Sequence, residues 1–382
     1  MHPVNIVLLQ FHAEHDNFTH GKELRDGLSV VLQLGRTLWL ANDETVSLER
    51  VTLEEQDSTG RSSFTRDHKG FPLHEFLHLP LPAQDGSAGD VNEADIEGLA
   101  FDGKYLWLTG SHSLRRKRPK PDDGAKKAHK RLASVSADGN RYLLARIPVA
   151  EQDGAYTLLK STGGKNKVRT AAVLRGDEHG NELTALLATD PHFGPFLAIP
   201  GKDNGFDIEG IAVAGKHLLL GLRGPVLRGW AAIIEIAPAD DEEAGWMRLA
   251  PVDAEGQMLR KHFLDLGGLG IRDLCVQGDD LLVLAGPTMD LDGPVYVYRW
   301  AGGALPARDT VVPADRLERI LVLPYGDGVD HPEGITLFHD KAGAGDELLV
   351  VYDAASPGRQ IGDSTVLADV FALPPRAQRK GG

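Results

Sequence analysis

Cysteine is nearly missing from this chain. Cys275 is the only one in 382 residues, so no intramolecular disulfide can form, and the composition suits a reducing compartment. Aromatic residues are sparse at 6%, yet 42% of the chain is hydrophobic, enough to build a core and to set it apart from disordered sequences. Positive charge is in deficit: 41 Lys and Arg face 55 Asp and Glu, a net −14. That deficit argues against a general nucleic-acid binder, which needs surplus Lys and Arg for phosphate contacts. It suits a protein that collects cations or cationic groups. Long apolar runs are absent too, and nothing approaches the ~18 residues that would span a membrane. The opening stretch MHPVNIVLLQFHAEHD has no basic region ahead of its short apolar run, so no signal peptide is expected. The expectation is a cytoplasmic protein with neither membrane nor nucleic acid as a partner.

Glycine, by contrast, is plentiful. The 44 Gly and 22 Pro suit many short strands joined by tight turns better than long helices, and an all-β chain of this length often forms one domain. Within it a motif recurs, as DIEGLA from Asp95 and DIEGIA from Asp207. Around these, EGLAFDGKYLWLTGS, EGIAVAGKHLLLGLR, RDLCVQGDDLLVLAG and EGITLF…DELLVVYD align as an apolar strand, a turn and a second apolar strand; DGLSVVLQLGRTLWLAND from Asp26 is a looser fifth copy.

Further strand-like runs follow each pair: WAAIIEI and KHFLDL behind Glu209, PVYVYRW and LERILVLP behind Arg272, RLASVSA and RYLLARIPV behind Glu97. Four antiparallel strands per recurring unit predict an all-β fold, a β-propeller of five four-stranded blades with six as the alternative. The repeat steps are 71, 63 and 61 residues, but Glu97 to Glu209 is 112. The excess is assigned to an inter-blade insertion at about residues 151–206, with a short helix in NELTALLATDPHF. After Glu333 only two or three strands remain, so NIVLLQF near the N-terminus is expected to complete the last blade and close the ring, removing exposed sheet edges. Residues 1–375 then form a single domain, and the tail PPRAQRKGG predicts disorder over 376–382.

Residues 74–78 read His-Glu-Phe-Leu-His, a formal zinc-protease pattern. That chemistry needs both histidines on one helix face, and Pro72, Pro80 and Pro82 leave room for only about two turns. The repeat instead aligns EFLHLPLP with RILVLPYG, the fourth strand of another blade. On a strand, His74 and His78 share a face and Glu75 takes the other.

In a propeller the first strand of every blade lines the central channel, so the residues opening those strands converge on one mouth. Aligned on their Gly they are Asp26, Glu97, Glu209, Arg272 and Glu333; two positions earlier stand Leu24, Asp95, Asp207, Gly270 and His331. The ends of the second strands add Asn42, Asp43, Ser111, His112, Arg223 and Asp353. Two carboxylates ~7 Å apart repel by about 2–3 kcal/mol at an effective dielectric near 20, so a mouth this acidic needs compensation. A proton on one acid, ion pairs to Arg272 and Arg223, or a bound cation would each supply it. Oxygen donors with little sulfur or imidazole favour Ca²⁺, with Mg²⁺ second. The plainer reading is architectural: an acid before Gly accepts backbone N–H groups and pins the turn, and Arg272 clasps it.

Three other stretches carry less. RRKRPKPDDGAKKAHKR, residues 115–131, is a basic island near the same face, open to a phosphorylated ligand or an acidic protein partner but better read as a solvated flexible loop. TGSHS lacks the strand-turn-helix elbow of a nucleophilic serine, and Cys275 inside DLCVQG reads as a buried, inert thiol.

The ordered series DIEGLA…LWLTGSHS, KDNGFDIEGIAV…LGLRGPVLRG, GIRDLCV and HPEGITLF resembles the bacterial domain-of-unknown-function family numbered 3616, from about Leu28 to Asp353. The acid steps at Asp95/Glu97, Asp207/Glu209 and Glu333 are also similar to those of the esterase-like phytase group, a wider set of propeller proteins. The first family brings no activity. The wider group implies a calcium-assisted phosphoester hydrolase with these acids as metal ligands, but Arg272 stands where a fourth Glu would be expected, and no signal peptide is expected.

The resulting expectation is an acid-rich central site for a divalent cation or a small polar ligand, with metal-assisted hydrolysis of a phosphate ester or lactone as its reaction. Asp26, Asp95, Glu97, Asp207, Glu209 and Glu333 are the candidate metal ligands. Glu97, Glu209, Arg272, Arg223 and His112 are the candidate catalytic residues, the arginines steadying negative charge. A non-catalytic protein-interaction scaffold with structural acids is the alternative.

Overall fold

The computed structural model describes residues 2–12, 23–54, 62–81, 93–163, 168–289, 291–339 and 347–376. The tail expected to be disordered falls, beyond Arg376, outside these residues. The fold is all-β and propeller-like, and among the described residues no helix is long and apolar enough to cross a membrane.

Apart from β1 (Asn5–Gln10), the main strands come in antiparallel runs in chain order. The first run is β2 (Leu28–Leu34), β3 (Thr37–Asn42), β4 (Ser47–Leu53) and β5 (Ser63–Pro72). The second is β6 (Ile96–Phe101), β7 (Tyr105–Gly110), β8 (Leu144–Gln152) and the short β9 (Ala172–Leu174). The third is β10 (Asp207–Ala214), β11 (His217–Gly224), β12 (Trp230–Asp240) and β13 (Leu259–Asp265). The fourth is β14 (Gly270–Gln277), β15 (Asp280–Gly286), β16 (Val295–Trp300) and β17 (Leu317–Leu323). The last is β18 (His331–Phe338), β19 (Glu347–Asp353) and β20 (Thr365–Ala372), with β1 as its fourth strand, antiparallel to β20 from Asn5 opposite Val370 to Gln10 opposite Thr365.

Local chemistry sets the hairpins. Three of the β-turns joining first to second strands are two residues long and begin with glycine: Gly35, Gly215 and Gly278, with φ of +57°, +66° and +65°. A two-residue hairpin demands a left-handed residue there, and glycine adopts it without strain. Between successive runs the apolar faces interleave, as where Ile233 and Leu264 of the third pack with Leu274, Leu281 and Val283 of the fourth.

The first strands adjoin one another in a closed cycle, β2 to β6, β6 to β10, β10 to β14, β14 to β18 and β18 back to β2. Their approach is close enough to exclude a side chain. A Cβ on Gly210 would lie 3.0 Å from the Asp273 Cα, one on Gly334 2.9 Å from the Val30 Cα, and one on Gly98 3.0 Å from the Ile211 nitrogen. At the two remaining joints a polar side chain bridges: Asp273 accepts the Ile335 N–H at 2.8 Å, and the Ser29 hydroxyl donates to the Ile96 carbonyl at 2.7 Å. The Gly of the acid-Gly step is therefore a packing requirement.

Three sequence expectations need correction. EFLHLPLP is not the fourth strand of the first run; that strand is Ser63–Pro72, and His74 and Glu75 lie in a 3₁₀ turn, Leu73–Glu75. His78 stacks on Trp246, ring centroids 5.6 Å apart. RLASVSA is not a strand of the second run either. Its Val135–Ser136 pairs with Arg115–Arg116 in a separate two-stranded ribbon, because its apolar residues are too few to share a core. Finally, Ala172–Leu174 belongs to the second run, so the surplus of chain divides between residues 111–143 and 175–206, the latter holding the short helix Glu182–Leu187.

Adding one methyl group should separate packing from charge. Gly210→Ala and Gly334→Ala are each expected to lower unfolding stability by about 1–3 kcal/mol, the usual cost of overpacking, read as a shift in urea midpoint at unchanged slope. A neutral result for both would mean the first strands are not in this contact.

Candidate functional site

Each first strand opens with a register shift against its hairpin partner, and the residue left unpaired by that shift occupies the same place in all five. These residues are Ser29, Glu97, Glu209, Arg272 and Glu333. A bulge leaves its extra residue out of the ladder and re-aims the side chain, here repeatedly at one mouth. The alignment on Gly had placed Asp26 in this set. It stands instead in a 3₁₀ turn before β2, where its carboxylate accepts from the Glu23 N–H at 3.1 Å and the Gln360 amide at 3.1 Å. The true counterpart is Ser29, three residues on, and Val30 fills the place of the Gly.

Glu209 is the most tightly held acid. Its Oε1 lies 2.5 Å from Arg223 Nη1, and its Oε2 lies 3.1 Å from Arg272 Nη1, which reaches Glu333 Oε1 at 2.8 Å. Burial opposes its charge, but Arg223 and Arg272 outweigh burial and hold its pKa below the usual range. Arg223 is itself fixed by the carbonyls of Thr288 and Met289. Asp95, held at φ 49°, meets Arg141 Nη1 at 2.8 Å, and the same guanidinium reaches the Ser113 hydroxyl at 3.0 Å and Glu93 at 3.6 Å.

The other acids are supported less, and in them burial and like charge outweigh the arginines. Asp207 is 5% exposed and has neither hydrogen-bond nor ion-pair partner among the described residues; its Oδ2 would come within 2.3 Å of a Cβ on Gly201, so only glycine lets the chain close over it. Burial first, then Glu209, raise its pKa to about 8. Glu97 is only partly buried, and desolvation followed by the charges of Asp95, Glu209, Glu333 and Asp43 lift it well above the carboxylate range. Burial and Asp353 raise Glu333 to about 7 against the pull of Arg272, and burial with Asp353, Asp95 and Glu333 raises Asp43. Protons and arginines thus share the task of compensating the cluster.

Of the sequence-derived candidates, Asp95, Glu97, Asp207, Glu209, Glu333, Arg223 and Arg272 share this electrostatic neighbourhood. His112 adjoins it in a structural role. Its Nδ1 lies 2.9 Å from the Gly110 carbonyl and its Nε2 2.8 Å from the Asn181 side-chain amide, and burial lowers its pKa to about 4. The neutral ring therefore clamps the end of β7 to the N-cap of the helix Glu182–Leu187. Arg141 and Glu93 were missed by sequence reasoning. Arg141 sits in a 3₁₀ turn ahead of a third strand, a place the repeat does not align, and only the fold carries it to Asp95. Among the described residues no three His, Cys, Asp or Glu side chains are gathered closely enough to hold a metal ion.

Two substitutions separate the clasp from the orphan acid. Glu209→Gln should cost about 3–5 kcal/mol, because Arg223 and Arg272 lose a buried partner, whereas Asp207→Asn removes no pairing. The pH response adds a second test. Folded Asp207 keeps its proton to about pH 8, against an ordinary value of 3.8. The folded state therefore binds the extra proton in that window, and its stabilising effect is complete below pH ~4 and lost as the pH rises toward 8. Asp207→Asn should flatten that decline in melting temperature; an unchanged slope would refute the assignment.

The chain belongs to the family described as protein of unknown function (DUF3616), whose model matches residues 27–369. Among solved structures it is similar to Myxococcus xanthus glutaminyl cyclase, at 11% identity and a TM-score of 0.34 over 98% of this chain and 100% of that one. Virginiamycin B lyase from Staphylococcus aureus matches at 11% identity and 0.33, covering 96% and 99%. The periplasmic gluconolactonase of Pseudomonas aeruginosa matches at 12% and 0.31, covering 96% and 92%. No curated protein matches the sequence significantly. Likenesses this distant assign neither substrate nor activity.

Proposed function

We propose that the acid-lined mouth is the working site of a five-bladed propeller, and that it takes a small polar ligand presenting positive charge or several hydroxyl groups. One observation carries this reading: Asp207 is buried without a partner among the described residues, beside a Glu97 crowded by four other acids. The mouth is short of donors. Its three guanidinium groups, Arg141, Arg223 and Arg272, are already bound to Asp95, Glu209 and Glu333. A phosphate ester arriving alone would meet more carboxylate than free cation, which ranks it below a lactone or polyol as a ligand.

Proton transfer is the chemistry this cluster favours. Glu333 near 7 and Asp207 near 8 titrate around neutrality, where general acids and bases work best. In lactone hydrolysis, an ionised Glu333 would take a proton from the attacking water, and a protonated Asp207 would return one to the departing ring oxygen. Arg223 and Arg272 keep Glu209 charged in the surround, and His112, with both nitrogens engaged, takes no part in the transfer.

The second reading is the divalent cation, Ca²⁺ ahead of Mg²⁺. The all-oxygen donor set and the orphaned Asp207 suit a hard cation, with Asp95, Glu97, Asp207, Glu209 and Glu333 as its candidate ligands. Their present spacing is too open for it, so binding would have to draw the acids together and release their protons.

A thermal-shift screen at pH 7 distinguishes these readings. A polyhydroxylated lactone or small amine at 100-fold its Kd should stabilise the protein by about 2.7 kcal/mol, and Asp207→Asn and Glu97→Gln should abolish the gain. Stabilisation by Ca²⁺ alone, reversed by EDTA, would favour the cation. Indifference to every ligand would leave the mouth architectural and the interaction-scaffold reading in force.

A further inference from the structure

Residues 114–136 leave the end of β7 as a folded arm. Arg115–Arg116 pairs with Val135–Ser136, and helix α1 (Ala125–Leu132) lies between them with no buried residue. Polar bonds hold the arm together. Asp123 caps the Lys120 N–H at 2.8 Å and meets Lys127 at 2.7 Å and Arg131 at 3.3 Å; Arg131 also donates to the Arg118 carbonyl at 2.6 Å. The root is clamped to the body by Arg115 on Glu93 at 2.8 Å and Arg116 on Asp203 at 2.6 Å.

Between residues 115 and 131 stand nine Lys and Arg against two Asp, a net +7 in a chain whose total is −14, which leaves −21 on the remainder. The helix dipole explains basic residues in the last turn, His129, Lys130 and Arg131. It does not explain Lys117, Lys120 or Lys126. These three and Lys130 are exposed and form no side-chain ion pair among the described residues. Beside them Leu132 and Val135 are 49% and 43% exposed. An ordered element that gathers like charge around exposed apolar side chains, with no core of its own, has the chemistry of half an interface.

We propose that this arm docks a short acidic segment of a protein partner, carboxylates meeting the four lysines and an apolar side chain resting on Leu132 and Val135. Charge complementarity selects the sign, and size selects the class. An eight-residue helix is about 12 Å long, and at physiological salt screening takes about 8 Å. A nucleic acid or an anionic bilayer would extend past the arm into the field of the acidic body, whereas a short segment stays within it.

Fluorescence anisotropy of the full chain with a labelled dodecapeptide of Glu containing two Leu tests this. Saturable, salt-sensitive binding is expected, weakened about tenfold or more by the combined K117E, K126E and K130E and about threefold by L132S with V135S, with circular dichroism and melting point unchanged. The proposal is overturned by absence of peptide binding, by either variant set leaving affinity unchanged, or by tighter binding to a single-stranded oligonucleotide or phosphatidylserine vesicles. None of these residues enters the mouth, so the outcome is independent of the ligand screen.

Discussion

The close approach of the first strands is the constraint on which the rest depends. With glycine at 98, 210 and 334, neighbouring backbones meet at about van der Waals distance, and Asp273 and Ser29 stitch the remaining joints by hydrogen bonds. Strands this close cannot keep regular pairing with their hairpin partners at the same point. Each opens with a bulge, and at four of the five the bulged residue is a charged member of the shared cluster, Glu97, Glu209, Arg272 or Glu333. Packing thereby decides where charge is placed: Glu97, Glu209 and Glu333 each precede a glycine at a tight contact.

Once gathered there, the acids divide according to their partners. Glu209 is held below its ordinary pKa by guanidinium groups fixed from other parts of the chain, and Asp95 is paired with Arg141. Asp207 and Glu97 have no guanidinium in contact, and burial with the neighbouring acids pushes the pKa of each upward. A mouth built only for stability would have little reason to bury most of an acid such as Asp207 without a hydrogen-bond or ion-pair partner among the described residues. Uncompensated charge of this kind tends to concentrate at working sites, and the clasped acids around it hold the opening in place.

The same electrostatic logic runs in reverse on the arm at residues 114–136. There lysines are concentrated in a body that is otherwise strongly acidic, and the root of the arm shares Glu93 with Arg141, the residue that holds Asp95. Mouth and arm are thus adjacent features of opposite sign, and each presents charge that its own surroundings only partly answer.

Much of this was legible in the chain itself. Alternating apolar runs broken by glycine revealed the strands, because a hairpin needs its left-handed residue whatever surrounds it, and the duplicated acid-Gly step marked where the first strands begin. Glu97, Glu209, Arg272 and Glu333 could be aligned because glycine, or the Asp that replaces it, follows each of them. Ser29 could not: Val30 stands in the place of its glycine, and Asp26 offered a false match. Local pattern likewise failed at His74–His78, where spacing mimicked a strand but the chain turns, and at Arg141, which no repeat position announces. What the residues determined alone was which segments extend and which turn, since those depend on neighbours in the chain. Which charges are paired, which acids have their pKa pushed upward and which side chains share an opening were decided only by tertiary structure, because burial and Coulomb forces act between groups far apart in the chain and a few ångströms apart in space.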